Sequence, residues 1–160
     1  MIDRGIYKIK EKYFIDFPDP FLKKGAGENR PCYYCLTDLN TGLHWMIPLS
    51  WKVDKYKKII ENRIKMNKPC DILHVAKLDN GKESVFSIQD MFPITEEYIL
   101  SEYLISNNIL RITSDTLANI IAQKAKTIMR LIRKGIKLQN KQPNVLYIEK
   151  KLLEINRGNP

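Results

Sequence analysis

From Arg4 to Ile15 (RGIYKIKEKYFI) apolar and polar residues alternate, the period of a half-buried strand or hairpin. The stretch FPDPFLKKGAGENRP then reads as a long surface loop, a kind of segment that tends to carry function. Pro31 to Leu39 reads as a strand, Asn40-Thr41-Gly42 as a tight turn, and Leu43 to Leu49 as the returning strand. The period lengthens over Lys52–Met66, where Val53, Tyr56, Ile60 and Ile64 form one helical stripe that Pro69 terminates. Two more strands, Asp71–Leu78 and Glu83–Ile88, flank the turn Asp79-Asn80-Gly81. Thr95-Glu96-Glu97 has the hydroxyl and acidic first turn of a helix start. A helix is predicted from Ser114 to Gly135 with Leu117, Ile121, Ile128 and Ile132 buried, and a last one from Pro143. These elements predict an α+β fold on a small, strongly bent antiparallel sheet or barrel. They form one domain over 1–160: a sheet core of about 1–93 with a helical insert at 51–66, then a helical part at about 94–157.

Composition adds a partner class. Apolar residues make up 44% of the chain, enough for a real core at 160 residues, which argues against disorder. No apolar run is long enough to span a bilayer and no signal-peptide pattern is evident, so the expected location is the cytoplasm. The net charge of +9 points to a polyanion. Residues 116–148 hold Lys124, Lys126, Arg130, Arg133, Lys134, Lys137 and Lys141 with no acidic residue. A second cluster, Lys52, Lys55, Lys57, Lys58, Arg63, Lys65 and Lys68, is offset only by Asp54 and Glu61. Such one-sidedness favours RNA or DNA over a merely solvated surface. A membrane surface fits less well, because the helices carry few bulky aromatics on their apolar faces. Cys32 and Cys35 form a C-x-x-C, yet within a strand they point to opposite faces, and no further ligand pair follows. They read as small core residues, and neither a metal nor a small-molecule cofactor is expected.

Three features carry candidate chemistry. Arg30-Pro31 opens one strand and Ser50-x-Lys52 closes its hairpin partner, so antiparallel pairing makes them spatial neighbours. Lys10-Glu11-Lys12-Tyr13 sits at an expected bend between the first two strands. A guanidinium that grips two phosphate oxygens, a hydroxyl donor and an amine crowded by Arg30 and Lys55 suit phosphodiester chemistry. Residues alone leave an equal alternative: Arg30 caps a strand, Ser50 caps the following helix, and Lys52 is solvated. His44 and His74 lie inside predicted strands, where a structural role is the commoner one. Trp45 and Trp51 are candidates for base stacking or for core and rim packing. Asp38, Asp71 and Asp90 lack metal-site spacing, and no nucleotide-binding glycine motif is present.

The segments RGIYKIK, GAGENRPCYY, HWMIPLSWK and SVFSIQDMFPIT together resemble the toxins of bacterial type III toxin–antitoxin systems, within them the CptN branch of the ToxN and AbiQ group. The likeness runs over nearly the whole chain, and S-x-K with VFSIQDMFPIT are its most specific pieces. A more distant similarity links it to the MazF/Kid toxins. The resemblance implies a compact SH3-like (MazF/Kid-like) antiparallel β-barrel with inserted and C-terminal helices. It implies a metal-independent endoribonuclease of phage defence that cuts adenine-rich mRNA and its own antitoxin precursor. The expected partner is a pseudoknotted antitoxin RNA, bound in a closed protein–RNA assembly. Carried over by position, Arg30, Ser50 and Lys52 are catalytic, leaving 2′,3′-cyclic phosphate and 5′-OH ends. Lys10, Lys12, Tyr13 and Gln89 match RNA-contacting positions. The wider candidate set for RNA adds Lys23, Lys24, Trp51, Lys55, Lys58, Lys124, Arg130, Arg133 and Lys134. Leu49 departs from the pattern, since a second hydroxyl often stands there. Two competing readings are a non-catalytic nucleic-acid-binding module, acting through helix 114–135, and a MazF-type toxin inhibited by a protein.

Overall fold

A computed structural model describes residues 1–22 and 30–158 of the chain. Its elements are β1 (Ile6–Ile9), α1 (Glu11–Asp16), β2 (Cys32–Thr37), β3 (His44–Ser50), α2 (Val53–Lys65), β4 (His74–Lys77) and β5 (Glu83–Phe86). They continue with β6 (Phe92–Ile94), β7 (Ile99–Glu102), β8 (Leu104–Ile105), β9 (Asn108–Ile109), α3 (Asp115–Arg133) and α4 (Val145–Gly158). The main sheet runs β4-β5-β3-β2-β1-β7 with β6 also on β3, while β8 and β9 pair separately. All these pairings are antiparallel. The molecule is thus α+β around an antiparallel sheet.

β3 is the spine of that sheet. Trp45, Met46, Ile47, Pro48 and Leu49 are all buried, so the strand is covered on both faces and shows little alternation. One edge pairs with β2, and the other is shared: His44–Met46 pair with β6 and Leu49–Ser50 with β5. Pro48 stands between the two segments, where its missing N–H costs no ladder bond and its carbonyl accepts from Ser87 N at 3.0 Å. A 3-10 turn at Ile88–Asp90, closed by Ser87 Oγ donating to Asp90 at 2.7 Å, carries the chain from β5 to β6.

Helices cover the sheet with the stripes that their period dictates. α3 buries Ala118, Ile121, Ala125, Ile128, Met129 and Ile132 and packs on β2. Ser114 caps it by accepting from Leu117 N at 3.2 Å, and Gly135 takes the left-handed conformation after its end (φ +77°). α4 buries Val145, Ile148 and Leu152 and packs on β6. No helix among the described residues is long and apolar enough to cross a membrane.

Three elements depart from the sequence pattern. The alternation over 4–15 predicts a strand or hairpin, but only Ile6–Ile9 is extended and Glu11–Asp16 is helical. Tyr13 and Phe17, four apart, point into one aromatic cluster, with ring centres 5.1 Å apart, whereas Ile15 is 64% exposed. Two apolar residues at i and i+4 satisfied both periods, and packing chose the helical one. The helix predicted from Thr95 is a single 3-10 turn, Glu96–Tyr98, because the Thr95 hydroxyl bonds the Glu97 side chain rather than a backbone amide. The chain then becomes β7 on the open edge of β1, so the segment after residue 94 begins with strands, not helix. On α2 the expected stripe holds only at Tyr56; Val53 and Ile60 are half-buried and Ile64 is 62% exposed.

A candidate phosphate-contact site at one end of the sheet

The β2–β3 register decides which groups meet. Cys32 faces Pro48, so two residues further out Arg30 comes opposite Ser50. Leu49 N donates to Pro31 O at 2.9 Å, and the Arg30 side chain donates from Nε to Leu49 O at 3.3 Å. The guanidinium is thereby anchored on β3 one residue before Ser50. On the other edge Ser50 faces Val85 of β5, and Ser84 Oγ donates to the Ser50 carbonyl at 3.3 Å. Ser84 is fully buried and carries no charge, so nothing in its sequence context marks it as a support for the site.

Ser50 is fixed locally as well. Its Oγ accepts from Lys52 N at 3.3 Å, a turn formed before the helix begins. α2 itself has Lys52 at its cap position and no side-chain cap, so the alternative in which Ser50 caps the helix does not hold. With an Oγ lone pair held by the Lys52 amide, the hydroxyl proton is available for donation outward. Lys52 and Trp51 are exposed beside it. Among the described residues no carboxylate pairs with Arg30 or Lys52. A donor hydroxyl and two cations with no carboxylate partner among the described residues, at adjoining strand ends, form a surface suited to a phosphate.

The other predicted residues divide. Lys10 Nζ donates to Glu97 O at 2.6 Å, and Lys12 pairs with Asp16 and lies over the Tyr98 ring at 5.5 Å. Both cations thus have partners of their own, and the β1–β2 register, with Tyr7 opposite Cys32, sets the end of β1 and so Lys10 at the same end of the sheet as Arg30. Tyr13 is a correction: it is fully buried, and its hydroxyl donates to Pro93 O at 2.7 Å, so it offers RNA no surface. Gln89 is a second correction, buried in the turn between β5 and β6, where its backbone amide donates to Ile72 O at 2.9 Å. Lys55 lies over the Tyr56 ring at 5.7 Å, and Lys58 is exposed on α2. Lys23 and Lys24 lie outside the described residues.

On α3, Lys134 is exposed at the helix end, and Arg130 Nε bonds Lys126 O of its own helix at 3.3 Å. Arg133 is exposed but engaged within the fold. It pairs with both Asp38 and Glu149 and lies over the buried Trp45 ring at 5.8 Å, tying the hairpin to α3 and α4. Burial acts to raise the Asp38 carboxyl, but the Arg133 contact and the Asn40 amide outweigh it and hold its pKa below the ordinary value. Lys124 Nζ donates to Leu73 O and approaches His74 Nδ1, each at 3.2 Å.

Neither histidine joins Ser50. His44 binds Thr37 Oγ1 at 2.9 Å at the opposite end of β3, about 20 Å away at strand rise. His74 lies on β4, two strands from β3. Burial pushes the Cys32 and Cys35 thiols up to about 12, which keeps both protonated and unreactive at neutral pH. Among the described residues no group of three or more His, Cys, Asp or Glu side chains is placed to hold a metal ion.

Two solved structures share this fold over nearly their full lengths. One is AbiQ, a lactococcal anti-phage endoribonuclease belonging to the type-III toxin–antitoxin system. Its TM-score is 0.70, covering 96% of this chain and 98% of AbiQ at 12% identity. The other comes from a bacterial antiviral system regulated by a processed non-coding RNA. It has a TM-score of 0.63, covering 92% of this chain and 96% of its own at 16% identity. At such identities the likeness is one of fold. No protein-family model matches the chain, and no characterised protein matches it by sequence.

Proposed function

We propose that the chain is the toxin of a type III toxin–antitoxin system, a metal-independent endoribonuclease acting at Arg30, Ser50 and Lys52. The observation that carries this reading is the meeting of Arg30 and Ser50 across β2 and β3, with Lys52 beside them and no described carboxylate to neutralise them. The fold shared with AbiQ supports it. In the reaction the ribose 2′-oxygen attacks the adjacent phosphorus and gives up its proton, Lys52 assisting the transfer. The bond from phosphorus to the 5′-oxygen breaks, and that oxygen takes up a proton. Arg30 and the outward Ser50 hydroxyl stabilise the pentacoordinate phosphorane. The products are a 2′,3′-cyclic phosphate and a 5′-OH.

The finer reading places the chain in the CptN branch, as one cytoplasmic domain with an SH3-like, MazF/Kid-like barrel. Its substrates are adenine-rich mRNA and its antitoxin precursor. Its inhibitor is a pseudoknotted RNA held in a closed assembly, as the RNA-regulated antiviral neighbour suggests. Exposed Trp51, Lys55 and Lys58 are the RNA contacts nearest to Ser50 along the chain, while Lys134 and Arg130 belong to the far end of the hairpin, where Arg130 lines a cavity with Thr37 and Asp38, and Lys10 and Lys12 lie about α1. The test is incubation of purified protein with adenine-rich RNA in EDTA, followed by end-group analysis. Cleavage to cyclic phosphate ends, lost in Ser50→Ala and Lys52→Ala, is the expected result. Bound but intact RNA would favour a non-catalytic binding module instead.

A further inference from the structure

Away from Ser50, a cavity of about 350 Å³ lies between α2, β4 and α3. Its walls are apolar at Ile60, Leu73 and Val75, and its polar groups include Glu61, His74 and Lys124. The hydrogen bonds dictate what these groups present. An ammonium only donates, so the 3.2 Å contact between Lys124 Nζ and His74 Nδ1 makes Nδ1 the acceptor and puts the ring proton on Nε2. A second Lys124 proton goes to Leu73 O. Burial first, and Lys124 second, hold the His74 pKa below its ordinary value, so the ring is neutral at pH 7. Two donors therefore remain, His74 Nε2–H and one Lys124 N–H. Glu61 brings an acceptor that has no ion-pair partner among the described residues.

We propose that this cavity binds a nucleobase of the RNA strand whose phosphate lies at Ser50, which rests on the reading of that site as an RNA-cleaving one. Apolar walls suit the faces of a flat ring. Two donors with one carboxylate suit a base edge, which sets acceptors beside an N–H. A phosphate fits poorly, because Glu61 repels it and the neighbouring Lys57 is already paired with Glu83 at 3.0 Å. The position is also right. Val75 faces Val85, and Val85 faces Ser50, so the cavity wall is two strand spacings, about 10 Å, from the Ser50 backbone. A single strand covers that distance within a few nucleotides.

The test uses ring NMR signals of the two histidines in the full chain, with His44 as an internal reference. AMP, CMP, GMP and UMP are titrated separately to about 10 mM, a range in which a fragment-sized ligand half-saturates its site. Nucleotides should shift His74 and leave His44 in place, while ribose 5-phosphate and inorganic phosphate move neither. Glu61→Gln, an exposed helical change that leaves the fold intact, should weaken binding about tenfold, as a lost hydrogen bond to a charged group does. Lys124→Met should weaken it similarly, with amide-signal dispersion as the check on folding. If no nucleotide shifts His74, or if phosphate alone shifts it equally, the proposal is wrong. Wild-type cleavage of RNA is scored separately: His74 shifts without cleavage would uphold the cavity and remove the nuclease reading.

Discussion

At one end of the β2–β3 hairpin, Arg133 is held between Asp38 and Glu149 above the Trp45 ring, and His44 binds Thr37. At the other end, Arg30 and Lys52 flank the Ser50 hydroxyl, and no described carboxylate answers them. The two strands are shared and both ends are basic, yet among the described residues the cations are paired with carboxylates at the first end and not at the second. A neutralised cation in a half-buried clamp joins elements together. Cations without a described carboxylate partner, beside a pinned donor, offer a place for an anion.

Exchanging charges at the two ends should therefore give opposite outcomes. Lys52→Ala should lower RNA cleavage by ~10²–10⁴, with the urea midpoint unchanged, because an exposed side chain without a described partner contributes little to folding. Arg133→Met should do the reverse. It leaves two mostly buried carboxylates unpaired and should cost about 1–3 kcal/mol in urea unfolding, a range reduced for the partial exposure of Arg133. Ser84→Ala removes one buried hydroxyl bond beneath Ser50 and should cost about 1 kcal/mol of stability.

The smallest effect concerns pH. The folded Asp38 carboxyl titrates below its unfolded counterpart, so the unfolded chain binds more protons as the solution is acidified. Its contribution is complete above the ordinary carboxylate pKa and is lost as pH falls through the folded value. In Asp38→Asn, urea midpoints should accordingly decline less between pH 5 and 3 than in the wild type. An equal decline would show that the clamp does not depend on this charge.

Legibility followed how locally each feature is determined. The two hairpin turns were readable because Gly42 and Gly81 adopt positive φ (71° and 78°), which few other residues accept. Arg30 and Ser50 were readable as neighbours because a short hairpin fixes which residues face each other. β7 was not readable, since only the open edge of β1, nearly a hundred residues earlier in the chain, makes it a strand. Tyr13 and Gln89 were misplaced for a related reason: burial is settled by distant partners. Tyr13 packs against Phe92 at 5.3 Å and Tyr98 at 5.4 Å. Arg133 reads as a nucleic-acid contact in a basic run, and only the fold brings Asp38 and Glu149 to it. The sequence shows where the cations are; the fold decides which of them are engaged by carboxylates.

In the proposed reaction the open end of the hairpin breaks RNA through the substrate's own 2′-hydroxyl. The most direct measurement compares two oligonucleotides in EDTA, one all-ribose and one with a single 2′-deoxyribose at the cut position. The first should be cut to a 2′,3′-cyclic phosphate and a 5′-OH while the second stays intact at that bond. Cleavage of the deoxy-substituted bond at a comparable rate would contradict the proposed reaction.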